Sequence, residues 1–161
     1  MSINLFKHNE EAYTAVTQML KQAGMAAVIH PTGTGKSLIA FKLVEEHPLN
    51  HFLWLSPSEY IYQTQLENLN MKFPNIQFMS YSRLMKNEDS IETLHPDYII
   101  LDEFHRCGAQ EWGKSIRKLL DTYPNVKRLG LSATNIRYLD NQRNMAEEIF
   151  NGKIASEMTL G

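Results

Sequence analysis

The 161 residues leave room for one domain of common size. Hydrophobic residues make up 43% and charged residues 21%, a globular balance that excludes a disordered, collagen-like or coiled-coil chain. Sixteen Lys and Arg against eighteen Asp and Glu give a formal charge of −2, so no global basic field points to nucleic acid, although a local groove remains compatible with it.

The lone cysteine, Cys107, excludes an intramolecular disulfide and a cysteine-only zinc site. No apolar run is long enough to cross a membrane, and the residues after Met1 lack the apolar stretch of a signal peptide. The expectation is a cytoplasmic protein with no membrane partner.

In chain order, apolar residues at three-and-four spacing predict a helix over Glu10–Ala23, stopped by Gly24. Residues 25–30 then read as a buried strand. A helix over 37–46 follows, closed by Pro48. Residues 51–55 predict a strand, 58–69 a helix, 76–79 a shorter strand and Arg83–Met85 part of a short helix. The β-branched and aromatic run 97–101 is the clearest strand. A helix over 111–120, a strand over 126–131, a helix over 141–150 and a last strand within 153–160 complete the series. Strands alternating with helix-length segments predict an α/β fold, a mainly parallel sheet with helices on both faces. Ligands are expected at the carboxyl ends of the strands.

Between the first strand and the second helix lies His30-Pro31-Thr32-Gly33-Thr34-Gly35-Lys36-Ser37. Gly33 and Gly35 allow the backbone to wrap a phosphate closely, with N–H groups turned inward. The helix that follows adds its unpaired donors and dipole. Lys36 supplies a charge for the β/γ-phosphates and Ser37 a hydroxyl for Mg²⁺, so Thr32 to Ser37 are the candidate nucleotide-binding residues. His30 stands where the strict phosphate-loop pattern has glycine.

Leu101-Asp102-Glu103-Phe104-His105 follows the clearest strand. A carboxylate at that strand end suits a phosphate-bound Mg²⁺, which assigns Asp102 to the metal beside Ser37. Glu103 is placed to take a proton from an attacking water. His105 and Cys107 lack the further ligands a zinc site needs. Trp54, Tyr98, Phe104 and Trp112 read as core. For Tyr60, Tyr62 and Gln63, core packing is the favoured reading over base stacking.

The set Gly33-x-Gly35-Lys36-Ser37, Asp102-Glu103-Phe104-His105 and Ser132-Ala133-Thr134 resembles motifs I, II and III of superfamily 2 helicases and translocases, in the DExH form found in restriction-enzyme subunits. Leu55-Ser56-Pro57-Ser58 with Gln65 is similar to motif Ia, a nucleic-acid-contacting segment. Leu5-Phe6-x-His8-Asn9-x-x-Ala12 lies where many relatives carry an adenine-reading glutamine, and no glutamine stands there. Asn135 takes the place of a proline usual after motif III.

The resemblance implies a RecA-like P-loop NTPase lobe over 1–161, with the second lobe absent from this chain. It implies ATP and Mg²⁺ as cofactors, DNA or RNA as partner with DNA favoured, and Lys36 and Glu103 as catalytic residues. His105, Ser132 and Thr134 would couple the nucleotide to the nucleic-acid path. A different P-loop enzyme, such as a small-molecule kinase, and a non-catalytic nucleotide- or nucleic-acid-binding module stay open as rival readings.

Overall fold

The computed structural model describes residues 3–31, 33–58, 60–108, 110–133 and 145–158. Along the chain run α1 (Lys7–Ala23), β1 (Met25–Ile29), α2 (Lys36–Glu46), β2 (Phe52–Ser56), α3 (Tyr60–Asn68), β3 (Ile76–Ser80) and α4 (Tyr81–Lys86). Then come α5 (Ile91–Leu94), β4 (Tyr98–Asp102), α6 (Gln110–Thr122), β5 (Lys127–Ser132), α7 (Met145–Phe150) and β6 (Ile154–Glu157). Each element anticipated within the described residues is present. The helix predicted over 141–150 is described from Met145 onward. A single-turn α5 and a 3-10 turn over Phe104–Gly108 are additions.

The sheet has the order β3-β2-β4-β5-β1-β6, and each of its pairings is parallel. Parallel neighbours need crossover connections, which put helices on the faces and cover the sheet on both sides. Successive strand residues point to opposite faces, and the core divides accordingly. Leu53, Leu55, Ile99 and Leu101 face α4, α6 and α7, while Phe52, Trp54, Tyr98 and Ile100 face α1, α2 and α3. Trp54 and Phe104 are fully buried and Tyr98 nearly so. Trp112 packs against the core and stacks on Tyr81 at 5.2 Å.

Local chemistry sets the element ends. Gly24 closes α1 in the left-handed region, φ 73°, with its N–H on the Leu20 carbonyl. Ser80 caps α4 by accepting from the Arg83 N–H at 3.0 Å. α1 begins at Lys7 rather than Glu10, because its first turn is bonded to the glycine loop described below. No helix among the described residues is long and apolar enough to cross a membrane.

Candidate active site

The glycine loop joins the carboxyl end of β1 to α2, at the sheet edge where the α/β rule places ligands. Gly33 and Gly35 have φ values of 86° and 77°, a region that glycine enters without the Cβ penalty. A Cβ at Gly35 would stand 3.0 Å from Asn9 Nδ2 and 3.1 Å from the Phe6 ring. Thr34 braces the turn by donating its hydroxyl to the Pro31 carbonyl at 2.7 Å. Thr32 lies outside the described residues.

The first turn of α1 holds this loop from behind. Asn9, fully buried, donates from Nδ2 to the carbonyls of Thr34 at 2.7 Å and Gly35 at 3.2 Å. His8 Nε2 bonds the same Thr34 carbonyl at 2.9 Å. With those carbonyls held on the α1 side, an adjacent cleft of about 360 Å³ is lined by Phe6, Gly33, Gly35, Lys36, Ser37, Tyr62 and Gln65. A larger hollow of about 420 Å³ lies among Tyr13, Lys21, Glu46, Tyr98 and Lys127 and includes none of the motif residues.

β4 delivers Asp102 to the same region. Its carboxyl group is pushed up to about 6, chiefly by burial and further by the Glu103 charge. A hydrogen bond from Tyr62 and the Lys36 ammonium pull the other way. Burial, then the Asp102 carboxylate, raise the Tyr62 phenol, so the phenol keeps its proton beside the carboxyl group. Beneath the strand end, the buried Tyr81 hydroxyl donates to the Asp102 carbonyl at 2.6 Å. Glu103 follows with φ 49°, a left-handed conformation uncommon outside glycine and characteristic of sites where geometry outranks backbone comfort.

Behind the two acids, His105 Nδ1 and Ser132 Oγ are hydrogen-bonded at 3.1 Å. The Ser132 carbonyl accepts from the His30 N–H at 3.0 Å. Ser132 therefore joins the segment after β4 to the start of the phosphate loop. Thr134 lies outside the described residues. Cys107 is buried against Tyr81, with Sγ 3.8 Å from its hydroxyl.

The structure divides the three residues read together as core. Tyr60 is 68% exposed and Gln63 is exposed, which corrects that reading for both. Tyr62 is half-buried, its ring 4.6 Å from Trp54 and its phenol lining the cleft. Gln65 faces the cleft and accepts from the Ser37 hydroxyl at 3.2 Å. The sequence signal for Tyr62 and Gln65 was their i, i+3 spacing on one face of a helix; Asn9 carried no local signal.

The chemistry of the residues fits a polyphosphate with a divalent cation. Two left-handed glycines let the backbone turn tightly against α1, where a side chain at Gly35 would meet Asn9 and Phe6. The α2 N-terminus and Lys36 supply donors and positive charge. The Ser37 hydroxyl and Asp102 carboxylate are hard oxygen donors suited to Mg²⁺.

A family model described as "Type III restriction enzyme, res subunit" matches residues 2–76 and 68–137. No curated protein matches the chain. Among solved structures, the Escherichia coli DEAH/RHA helicase HrpB is 21% identical with a TM-score of 0.71, over 94% of this chain and 22% of its own. The Sulfolobus solfataricus SWI2/SNF2 ATPase core in complex with dsDNA is 16% identical, TM-score 0.65, over 88% of this chain and 34% of its own. The ATP-dependent type ISP restriction-modification enzyme LlaBIII bound to DNA is 18% identical, TM-score 0.66, over 98% and 15%. The chain spans between 15% and 34% of the length of these structures, and the likeness is one of fold.

Proposed function

Since the chain belongs to the type III restriction enzyme res subunit family, a family of helicase-type ATPases, we propose that it is the nucleotide-binding RecA-like lobe of a nucleic-acid motor that hydrolyses ATP to ADP and phosphate. One observation carries the reading. The glycine loop with Lys36 and Ser37 leaves the carboxyl end of β1, and Asp102 closes β4 at the same edge of the parallel sheet, with only β5 between the two strands. A phosphate cradle and an acidic strand end are separately common; placed together they serve a nucleoside triphosphate.

Gly33, Gly35 and the first amides of α2 hold the phosphates, and Lys36 offsets charge on the β/γ oxygens. Ser37 and Asp102 would hold Mg²⁺, which when bound neutralises charge developing on the phosphate oxygens. Glu103 orients a water and takes its proton as the water oxygen attacks the γ-phosphorus. The bond from that phosphorus to the oxygen of the β-phosphate breaks in line, and ADP leaves with the bonding electron pair. His105 and Ser132 carry the state of the acidic strand end to His30, and Thr134 is assigned to the same relay. The DNA named with two of the similar folds supports DNA over RNA as the track. A second lobe would supply the opposite wall of the cleft.

The test is calorimetric titration of the chain with ADP and Mg²⁺, on wild type and Lys36→Ala. Saturable one-to-one binding that disappears in the variant is expected. Equal binding by both folded proteins would overturn the assignment of the loop. For catalysis, Glu103→Gln in a protein carrying both lobes should bind ATP normally and lose turnover. Surviving turnover would remove Glu103 from its role, and a lobe that binds nucleic acid regardless of Lys36 and nucleotide would be a binding module instead.

A further inference from the structure

Both oxygen groups assigned to the cation face one helix, α3. The Ser37 hydroxyl donates to Gln65 Oε1 at 3.2 Å, and Tyr62, which lines the same cleft, sets its phenol beside the Asp102 carboxyl group. Tyr62 and Gln65 stand three positions apart, hence on one face of α3.

The direction of the serine bond is informative. A serine hydroxyl has one proton and two lone pairs, and ligating a cation uses a lone pair. The proton must then point elsewhere, and the Gln65 carbonyl oxygen receives it. A carboxylate accepts at either oxygen and turns about its last torsion. The Tyr62 phenol beside the carboxyl group limits that rotation and leaves the far side to a metal.

Tyr62 is positioned independently of the site it serves. Its ring packs 4.6 Å from Trp54, 6.2 Å from Phe41 and 6.4 Å from Phe78, and Leu66 one turn on is buried in the same core. The sheet core therefore sets where the phenol lies, which is the rigidity that a supporting group for a metal ligand requires.

We infer that Tyr62 and Gln65 are positioning residues for the divalent cation: from the wall of the cleft they orient Asp102 and Ser37. The inference rests on the proposed reading of the loop as a Mg²⁺–nucleotide site. Tyr62→Phe keeps the ring and removes the donor; Gln65→Leu keeps the bulk and removes the acceptor; Gln65→Glu keeps an acceptor oxygen at the same reach.

The experiment is calorimetric titration of the chain with ADP, in Mg²⁺ and in EDTA, for wild type and these three variants. Its readout is the ratio of the two affinities. In EDTA, Tyr62→Phe and Gln65→Leu should match wild type within about twofold, whereas their Mg²⁺ ratio should fall about tenfold, as losses of supporting partners do. Gln65→Glu should retain the wild-type ratio or exceed it.

Folding is checked by the emission of Trp54 in a Trp112→Phe background, since the Trp54 ring lies 4.6 Å from that of Tyr62. Variants that keep the full Mg²⁺ ratio would overturn the inference while leaving the site reading intact. Equal loss in Mg²⁺ and EDTA would also overturn it, because the residues would then serve the nucleotide or the fold. A wild-type chain that binds ADP with no gain from Mg²⁺ would overturn the metal site itself, and the inference with it.

Discussion

His30 Nε2 lies 2.7 Å from Ser156 Oγ, which ties the first residue of the phosphate loop to β6 across a separation of 126 residues. The ring is fully buried and its Nδ1 has no hydrogen-bond partner. Burial first, then the nearby His8 and Lys36 charges, push its pKa down to about 4.

The unfolded ring therefore takes a proton at higher pH than the folded one. Its contribution to stability is whole above about pH 6.5 and is lost as pH falls toward 4. The stability difference between wild type and His30→Gln should shrink by about 1–3 kcal/mol between pH 7 and 4.5. Urea unfolding at the two pH values measures it; a pH-independent difference would mean that the ring titrates like an exposed histidine.

Asp102 has the opposite sign. Its folded carboxyl is pushed up to about 6, so it takes a proton more readily than the unfolded one. The stability it contributes is whole below the ordinary carboxylate range, near pH 4, and is lost as pH rises through 6. Relative to wild type, Asp102→Asn should thus gain stability as pH rises from 4 to 7.

The same titration bears on the cation. At pH 5 only about a tenth of a carboxyl with that pKa is ionised, and a proton competes with the metal. The Mg²⁺-dependent part of ADP affinity should drop about tenfold between pH 7.5 and 5, with affinity in EDTA changing less. Calorimetry at the two pH values reads this directly.

Asn9 donates to two loop carbonyls from a fully buried position. Asn9→Ala leaves those bonds unmade at a cost of about 1–3 kcal/mol. It also frees the loop to leave its phosphate-ready shape, so ADP affinity should fall along with the melting temperature. Unchanged ADP affinity in the folded variant would assign Asn9 to stability alone.

Two glycines should respond differently to alanine. Gly35→Ala strains a φ of 77° and brings a Cβ against Asn9 and Phe6, so nucleotide binding should be lost together with some stability. Gly130 sits in β5 beneath two rings, and a Cβ there would stand 2.6 Å from Phe150 Cε2 and 2.7 Å from Phe104 Cδ1. Gly130→Ala should destabilise by about 1–3 kcal/mol or more through overpacking. ADP titrations paired with melting curves separate a cradle glycine from a packing glycine.

The strands, the phosphate loop and the acidic strand end were legible in the sequence because each is written in contiguous residues. Apolar runs such as Phe52–Leu55 and Tyr98–Leu101 announce strands covered on both faces, and Gly33-Thr34-Gly35-Lys36-Ser37 carries its function in local backbone freedom and charge. Their order in the sheet, β3-β2-β4-β5-β1-β6, came only with the tertiary structure, since hydrogen-bonded neighbours are chosen across the chain by packing rather than by adjacent residues.

The same reason hid what Asn9, Tyr62 and Gln65 do. The sequence singled out each for another role, and only the fold sets its side chain against the Thr34 carbonyl, Asp102 or Ser37. Tyr60 and Tyr62, two residues apart with the same side chain, end on opposite terms, one 68% exposed and one packed against Trp54. A phenol carries both an apolar ring and a polar tip, so its type alone does not choose between water and core. The seating of α3 on the sheet made that choice, and it decided which groups surround the residues assigned to the metal.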